Sequence, residues 1–181
     1  MNMPSTLNNH PTGHCVFGPV PSRRLGKSLG INNLPGKACT YSCLYCQVGI
    51  TRQQSIHRRE FFEPGELAEA VHKQLKLLDE NHTPDFLTIV PNGEPTLDKN
   101  IGKLIRLLKA FRYPVAVITN ASLLYMDEVK SELEPADFVS VKVDSMIPNS
   151  WVRINQPHPS LSIQRISEAI LDFRKHFSGH F

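Results

Sequence analysis

Three of the four cysteines in this chain lie close together, in the stretch CTYSCLYC at residues 39–46. Cys39, Cys43 and Cys46 are separated by three and then two residues, and no further cysteine or histidine follows closely. A structural zinc site usually closes its coordination with four ligands, whereas an iron–sulfur cluster can leave one iron without a protein ligand. The spacing therefore favours an iron–sulfur cluster with an open iron. Zinc with His57 as fourth ligand is the alternative.

Length and composition describe an ordinary globular protein. The 181 residues include 40% hydrophobic and 20% charged residues and could form one domain with a substantial core. The formal net charge of +3 permits an anionic partner without indicating one. We expect no membrane segment, because no apolar run approaches the roughly 18 residues needed to span a bilayer.

The N-terminal sequence indicates the compartment, and the compartment bears on the role of the cysteines. The start, MNMPSTLNNHPTGH, lacks the apolar core of a signal peptide, so we expect a cytoplasmic protein. In a reducing compartment, clustered cysteines are better explained as metal ligands or catalysts than as disulfides. Cys15 stands apart from the cluster, and we expect it to be a small buried residue.

Helical and strand patterns alternate along the chain. Residues 1–14 are polar and without periodicity, which predicts a flexible tail before a single domain over residues 15–181. The predicted strands are SLGIN after a stretch rich in Gly and Pro, then residues 86–90, 115–119 and 138–144. The predicted helices are residues 64–79, a helix capped by Asp98 with an apolar stripe from Ile101 to Leu108, residues 123–133, and a last helix marked by Ile163, Ile166, Ile170 and Phe173.

This alternation predicts an α/β fold with parallel strands joined by crossover helices. The last predicted strand, FVSVKVD, has valines on one face and Ser140, Lys142 and Asp144 on the other. A sheet covered by helices on both faces would not tolerate that polar row. A barrel or partial barrel whose inner surface lines a site would tolerate it. The cysteines lie on the loop after the first of these strands, at the sheet edge where such folds place their sites.

Two motifs carry a family resemblance. The cysteine stretch resembles the CxxxCxxC signature of radical S-adenosylmethionine (SAM) enzymes, including Tyr45 before the last cysteine. Asn92-Gly93-Glu94-Pro95-Thr96, after the second strand, resembles the family's Gly-Gly-Glu-Pro motif. The resemblance extends from about Gly18 to Phe177. The stretch GPVPSRRLGKSLGINNLPGKACTYSCLYCQ is similar to a bacterial group of stand-alone radical SAM proteins classed with wyosine-type tRNA-modifying synthases.

The resemblance implies both the fold and the cofactors. The implied fold is a partial (β/α) barrel, of which about four of the usual six βα units are present and the C-terminal units are missing. The three cysteines would hold three irons of a 4Fe-4S cluster, and SAM would chelate the fourth iron. An electron passed to the sulfonium would split SAM into methionine and a 5'-deoxyadenosyl radical.

The resemblance also implies roles for individual residues. Gly93 would let the backbone approach the ligand, and Glu94 would accept a hydrogen bond from the SAM ammonium. Pro95 completes the motif, while Asn92 stands where the family more often has glycine or another small residue. Tyr45 would contact the adenine. The candidates for the ribose, the carboxylate or the substrate are Thr119, Asn120, Lys142 and Asp144. A purely structural role is the alternative for each of these residues.

A group of arginines flanks the cysteine loop in sequence, namely Arg23, Arg24, Arg52, Arg58 and Arg59. They could bind a phosphate-bearing substrate, although such charges often form only a solvated surface.

We therefore expect a radical SAM enzyme, with wyosine-like tRNA modification as the favoured substrate class. The alternatives are a glycyl-radical activating enzyme and a non-catalytic module stabilised by zinc or a cluster. The expected partners are a flavodoxin- or ferredoxin-like electron donor and RNA. Self-association is also expected, because the fourth strand would leave an uncovered sheet edge.

Overall fold

A computed structural model describes residues 15–181. The predicted tail at residues 1–14 lies outside the described residues. Five strands form one sheet in chain order: β1 (Val16–Ser22), β2 (Gly26–Ile31), β3 (Phe86–Ile89), β4 (Val115–Thr119) and β5 (Phe138–Val141). Strands β2 to β5 are parallel, which confirms the four predicted βα units, and the architecture is the predicted partial barrel.

Strand β1 was not predicted. It pairs antiparallel with β2 and forms one edge of the sheet. Pro19 and Pro21 lie within it, and proline cannot donate to a strand ladder, so its sequence argued against a strand. An edge position tolerates proline because one side of the strand needs no sheet partner.

Five helices connect or flank the strands: α1 (Pro64–Leu77), α2 (Ile101–Lys109), α3 (Asp127–Leu133), α4 (Pro148–Asn155) and α5 (Ile163–His176). Helix α1 begins at Pro64, as predicted. Helix α3 begins later than predicted, because residues 121–126 form turns that bury Leu123 and Leu124 without a helix. The N-cap position of α2 is Asn100 rather than Asp98. The Asp98 side chain instead accepts a hydrogen bond from the Asn100 N–H at 2.9 Å.

The sheet has one apolar and one polar face. Leu29, Ile89 and Val117 are fully buried on the face covered by α1, α2 and α3. On the opposite face, Ser28 donates to Thr88 at 2.6 Å, and Arg24 donates to Ser140 at 2.9 Å. Polar side chains on the inner face fit the predicted barrel.

Strand β5 is shorter than predicted. It ends at Val141, and Val143 is 42% exposed instead of lying under the helices. The Lys142 N–H still donates to the Thr119 carbonyl at 2.9 Å, after which the chain turns towards α4. The alternation in FVSVKVD therefore predicts correctly that Lys142 faces the site, but it does not predict the positions of the residues that follow.

The outer edge of β5 is partly paired. The Val139 N–H donates to the His180 carbonyl at 2.9 Å, and the His180 N–H donates to the Asp137 carbonyl at 2.9 Å. The expectation of a wholly uncovered edge is therefore wrong at the start of β5, because residues after α5 return to it. Within residues 15–181, no helix is long and apolar enough to cross a membrane.

The cysteine loop is docked from two sides. The Ser42 and Leu44 N–H groups donate to carbonyls at the end of α4, at 3.1 and 3.0 Å. On the other side, the Glu94 N–H donates to the Ala38 carbonyl at 2.9 Å. A Cβ atom on Gly93 would lie 1.7 Å from that carbonyl oxygen. Glycine is required at this position because there is no space for a side chain.

Replacing Gly93 by alanine should therefore force the two loops apart. We expect Gly93→Ala to lower the free energy of unfolding by about 1 to 3 kcal/mol, the usual cost of overpacking. The matched control is Gly65→Ala in α1, where an added Cβ meets nothing within 4 Å and alanine favours the helix. Denaturant unfolding of both variants tests this, and equal stabilities would contradict the contact.

Candidate functional site

The carboxyl ends of the parallel strands surround a cavity of about 370 Å³. It is lined by the three clustered cysteines and by several other residues singled out from the sequence: Cys39, Cys43, Cys46, Tyr45, Gly93, Glu94, Thr119, Asn120 and Lys142. The cysteine loop, the loop after β3 and the ends of β4 and β5 therefore contribute to one site.

Hydrogen-bond donors surround the cysteine sulfurs. Lys37 Nζ lies 3.2 Å from Cys46 Sγ, and Asn155 Nδ2 lies 3.3 Å from Cys43 Sγ. Longer contacts join Lys142 Nζ to Cys43 Sγ at 3.8 Å and Asn120 Nδ2 to Cys39 Sγ at 3.7 Å. Ammonium and amide donors stabilise thiolates, which are the ligands of iron–sulfur clusters.

The thiols differ in their ionisation. Burial and the nearby Glu94 charge raise the pKa of Cys39 to about 11. Burial also opposes ionisation of Cys46, but hydrogen bonds from Lys37 and from the backbone of Val48 and Gly49 outweigh it and lower its pKa. Metal binding at Cys39 must therefore release a proton, since a thiolate is the ligand.

This donor set fits an iron–sulfur cluster held by three cysteines. The sulfurs come from one loop, line one cavity and have donors as neighbours, while the rest of the cavity wall offers polar groups for a further ligand. His57, the alternative zinc ligand, lines a different cavity. Among residues 15–181, no three or more His, Cys, Asp or Glu side chains are positioned to hold a single metal ion together. Cys15 is buried in the core, as expected.

Glu94 is the buried carboxylate of the site, with 1% of its surface exposed. Its Oε1 accepts from the Thr96 N–H at 3.1 Å, the Thr96 hydroxyl at 2.6 Å and the Thr119 hydroxyl at 2.6 Å. Its Oε2 accepts from the Asn120 N–H at 2.8 Å. Burial raises the pKa of Glu94, and these hydrogen bonds oppose that effect. Oε1 is saturated, whereas Oε2 retains one acceptor position.

Thr119 and Asn120 are held by the protein itself. The Thr119 hydroxyl is committed to Glu94, so its side chain positions the carboxylate instead of presenting a free group to the cavity. Asn120 Nδ2 donates to the Thr40 hydroxyl at 2.9 Å. Both residues thus link the end of β4 to the neighbouring loops.

Tyr45, Lys142 and Asp144 form a second polar group. The Tyr45 hydroxyl donates to Asp144, and Lys142 Nζ lies 2.8 Å from the same carboxylate and 4.3 Å from the centre of the Tyr45 ring. Tyr45 is half exposed. Asp144 does not line the cavity, and its contacts orient Tyr45 and Lys142.

The motif residues Asn92 and Pro95 lie outside the cavity lining. Asn92 does not line the cavity, and its N–H donates to Asn32 Oδ1 at 3.3 Å. Pro95 is buried at the start of a 3₁₀ turn, Pro95–Leu97, whose N-cap residue is Glu94. These two residues shape the loop after β3.

Sequence reasoning missed Lys37 and Asn155. Lys37 precedes the first clustered cysteine by two residues, and that proximity was the only signal. Asn155 comes from α4, which was not predicted because residues 145–160 show no clear apolar period. Its Oδ1 atom is buried without a hydrogen-bond partner in residues 15–181.

The flanking arginines separate in space. Arg23 and Arg24 line another cavity, with Ser22 and Ser140. The Arg58 side chain is 4% exposed and pairs with Glu128 at 3.0 Å and with Glu132. Of the five arginines, Arg58 is therefore structural, and Arg52 and Arg59 are the two exposed ones beside the cysteine loop.

Comparison with known proteins identifies similar sequences. The family model for the radical SAM superfamily matches residues 33–180. The UPF0026 protein MJ1312 of Methanocaldococcus jannaschii is 47% identical over 164 residues, which cover 91% of this chain and 51% of that protein. A UPF0026 protein of Helicobacter pylori strain 26695 is 38% identical over 169 residues, covering 91% of this chain and 53% of that protein. The chain spans about half the length of these relatives.

Solved structures share the fold at low sequence identity. A structure of TYW1 with a lysine-pyruvate adduct bound has a TM-score of 0.57 at 19% identity, covering 83% of this chain and 52% of that one. Streptococcus suis SuiB bound to S-adenosylmethionine has a TM-score of 0.56 at 14% identity, covering 81% and 32%. These structures show the fold alone, whereas the family match over residues 33–180 shows that the chain belongs to the radical SAM superfamily.

Proposed function

We propose that this chain cleaves SAM reductively with a 4Fe-4S cluster and uses the 5'-deoxyadenosyl radical for wyosine-like modification of tRNA. The observation that carries the cofactor part is the shared cavity, in which three cysteines from one loop lie with the Glu94 carboxylate. When bound, the cluster supplies the electron that splits the sulfonium of SAM.

The protein side chains place hydrogen-bond donors beside the cysteine sulfurs. Lys37 and Lys142 supply positive charge near Cys46 and Cys43, and Asn155 donates to Cys43. Donors at the sulfurs stabilise the negative charge of a thiolate-bound cluster. The Gly93 contact with Ala38 fixes the start of the cysteine loop.

SAM binding would use Glu94, Lys142 and Tyr45, which line the same cavity. The remaining acceptor position on Glu94 Oε2 suits the SAM ammonium, and Lys142 suits a carboxylate. Tyr45 offers a half-exposed aromatic face to the adenine.

The substrate class rests on sequence resemblance. The stretch from Gly18 to Gln47 is similar to the wyosine-type group, which supports tRNA as the substrate. An electron donor of the flavodoxin or ferredoxin class is part of the same proposal.

The cysteine assignment predicts a specific pattern of iron content. Changing Cys39, Cys43 or Cys46 to alanine should abolish cluster binding, because each thiolate holds one iron. Cys15→Ala is the matched control, since Cys15 lies in the core away from the cavity. Anaerobic reconstitution followed by iron and sulfide analysis measures the effect. Equal iron in the wild type and Cys43→Ala would exclude the assignment.

The Glu94 assignment predicts a loss of SAM affinity. Glu94→Gln removes the charge that would pair with the SAM ammonium, a bond of about 1.5 to 3 kcal/mol, so affinity should fall roughly 10 to 150 fold. The cluster should remain. Thr96→Val is the control, because it removes one hydroxyl contact with Glu94 and keeps the charge. Anaerobic calorimetry measures both affinities, and an unchanged value for Glu94→Gln would remove Glu94 from the SAM site.

A further inference from the structure

A second cavity of about 690 Å³ adjoins the cysteine site. Lys37 lines both cavities and therefore lies at their boundary. The wall of the second cavity, here called the basic groove, includes Lys37, Arg52, His57, Arg59, Phe61 and His158. None of its lining residues is acidic.

The charges of the basic groove are available to a ligand. Arg52 and Arg59 are exposed, and no carboxylate in residues 15–181 forms a salt bridge with either. Arg59 instead lies over the Phe61 ring, 4.7 Å from its centre. Arg58 also lines the groove, but its guanidinium is already paired with Glu128 and Glu132.

The backbone of the basic groove is fixed to the rest of the domain. The Arg59 N–H donates to the Leu97 carbonyl at 2.9 Å, and the Lys99 N–H returns a bond to the Arg59 carbonyl at 3.0 Å. The Ser55 N–H donates to the Cys39 carbonyl at 3.3 Å. A pre-organised set of donors loses less conformational entropy when it binds a ligand.

His158 also lines the basic groove. Its N–H donates to the Thr40 carbonyl at 2.9 Å, and its ring Nδ1 accepts from the Ser160 N–H at 3.2 Å. This contact places the ring proton on Nε2, which is then able to donate to a ligand.

We propose that the basic groove binds the phosphates of an RNA chain and that Lys37 marks the passage from the groove to the cysteine cavity. Arginine guanidinium groups match phosphate oxygens through paired N–H donors. Lys37, Arg52 and Arg59 all line the groove, and their three positive charges exceed the charge of a single phosphate. This inference deepens the proposed function, on which its choice of RNA rests.

RNA binding by charge-matched variants tests the groove. Fluorescence anisotropy with a labelled RNA stem-loop is measured across a range of salt concentrations for the wild type and for Arg52→Gln with Arg59→Gln. Loss of two phosphate contacts should lower the salt slope by about 2 and weaken binding roughly tenfold or more at low salt. The control, Arg106→Gln with Arg174→Gln, removes the same charge from exposed positions on α2 and α5 and should bind like the wild type.

The outcomes separate this inference from the proposed function. Absence of RNA binding by the wild type, or equal weakening in both double variants, would overturn the groove. If pyrophosphate displaces the labelled RNA at the same phosphate concentration as unlabelled RNA does, the groove binds a small phosphate ligand. That result would also overturn the proposal. RNA binding that depends on Arg52 and Arg59, in a protein that does not cleave SAM, would support RNA binding in the groove and contradict the proposed reaction. Iron content equal to the wild type in the double variant shows that the neighbouring site is intact.

Discussion

The buried carboxylate of Glu94 is the constraint on which the site depends. It follows β3, accepts hydrogen bonds from Thr119 and Asn120 at the end of β4, and its own N–H holds Ala38 beside the first clustered cysteine. The ends of β3 and β4 and the cysteine loop thus meet at one residue. A buried carboxylate is tolerated only when its oxygens are hydrogen-bonded, and here four donors satisfy it.

The same carboxylate shapes the electrostatics of the cysteines. Burial of the loop, together with the charge of Glu94, raises the pKa of Cys39, so the metal-free site disfavours a thiolate there. Lys37 acts in the other direction at Cys46, where its hydrogen bond helps to lower the pKa of the thiol. A bound cationic metal would relieve the remaining imbalance, because it favours the deprotonated ligand. Arg52 and Arg59 add further positive charge on the other side of Lys37, in the basic groove.

Sequence periodicity predicted the elements that bury a regular face. The stripes of α1, α2 and α5 and the apolar runs of β3 and β4 follow from burial against one core. The patterns failed where position in the sheet decided the outcome: β1 carries proline because it lies at an edge, and β5 ends early because the chain turns to α4.

The sequence predicted the cysteines and Glu94, but not the residues that hold them in position. The cysteine spacing and the motif containing Glu94 are local in sequence, whereas Asn155 reaches Cys43 from a helix more than a hundred residues away. The contact of Thr119 with Glu94 also cannot be read from the sequence, since its hydroxyl donates to a carboxylate 25 residues away. Tertiary contacts of this kind follow from the packing of loops, which leaves no periodic pattern in the sequence.

We propose that three cysteines hold a cluster whose fourth iron is open to SAM in the cavity beside Glu94. Electron paramagnetic resonance of the reconstituted, reduced protein tests this directly, because a ligand bound to an iron alters the spectrum of the cluster. We expect the spectrum to change when SAM is added. A spectrum of a reduced four-iron cluster that stays the same at saturating SAM would contradict it.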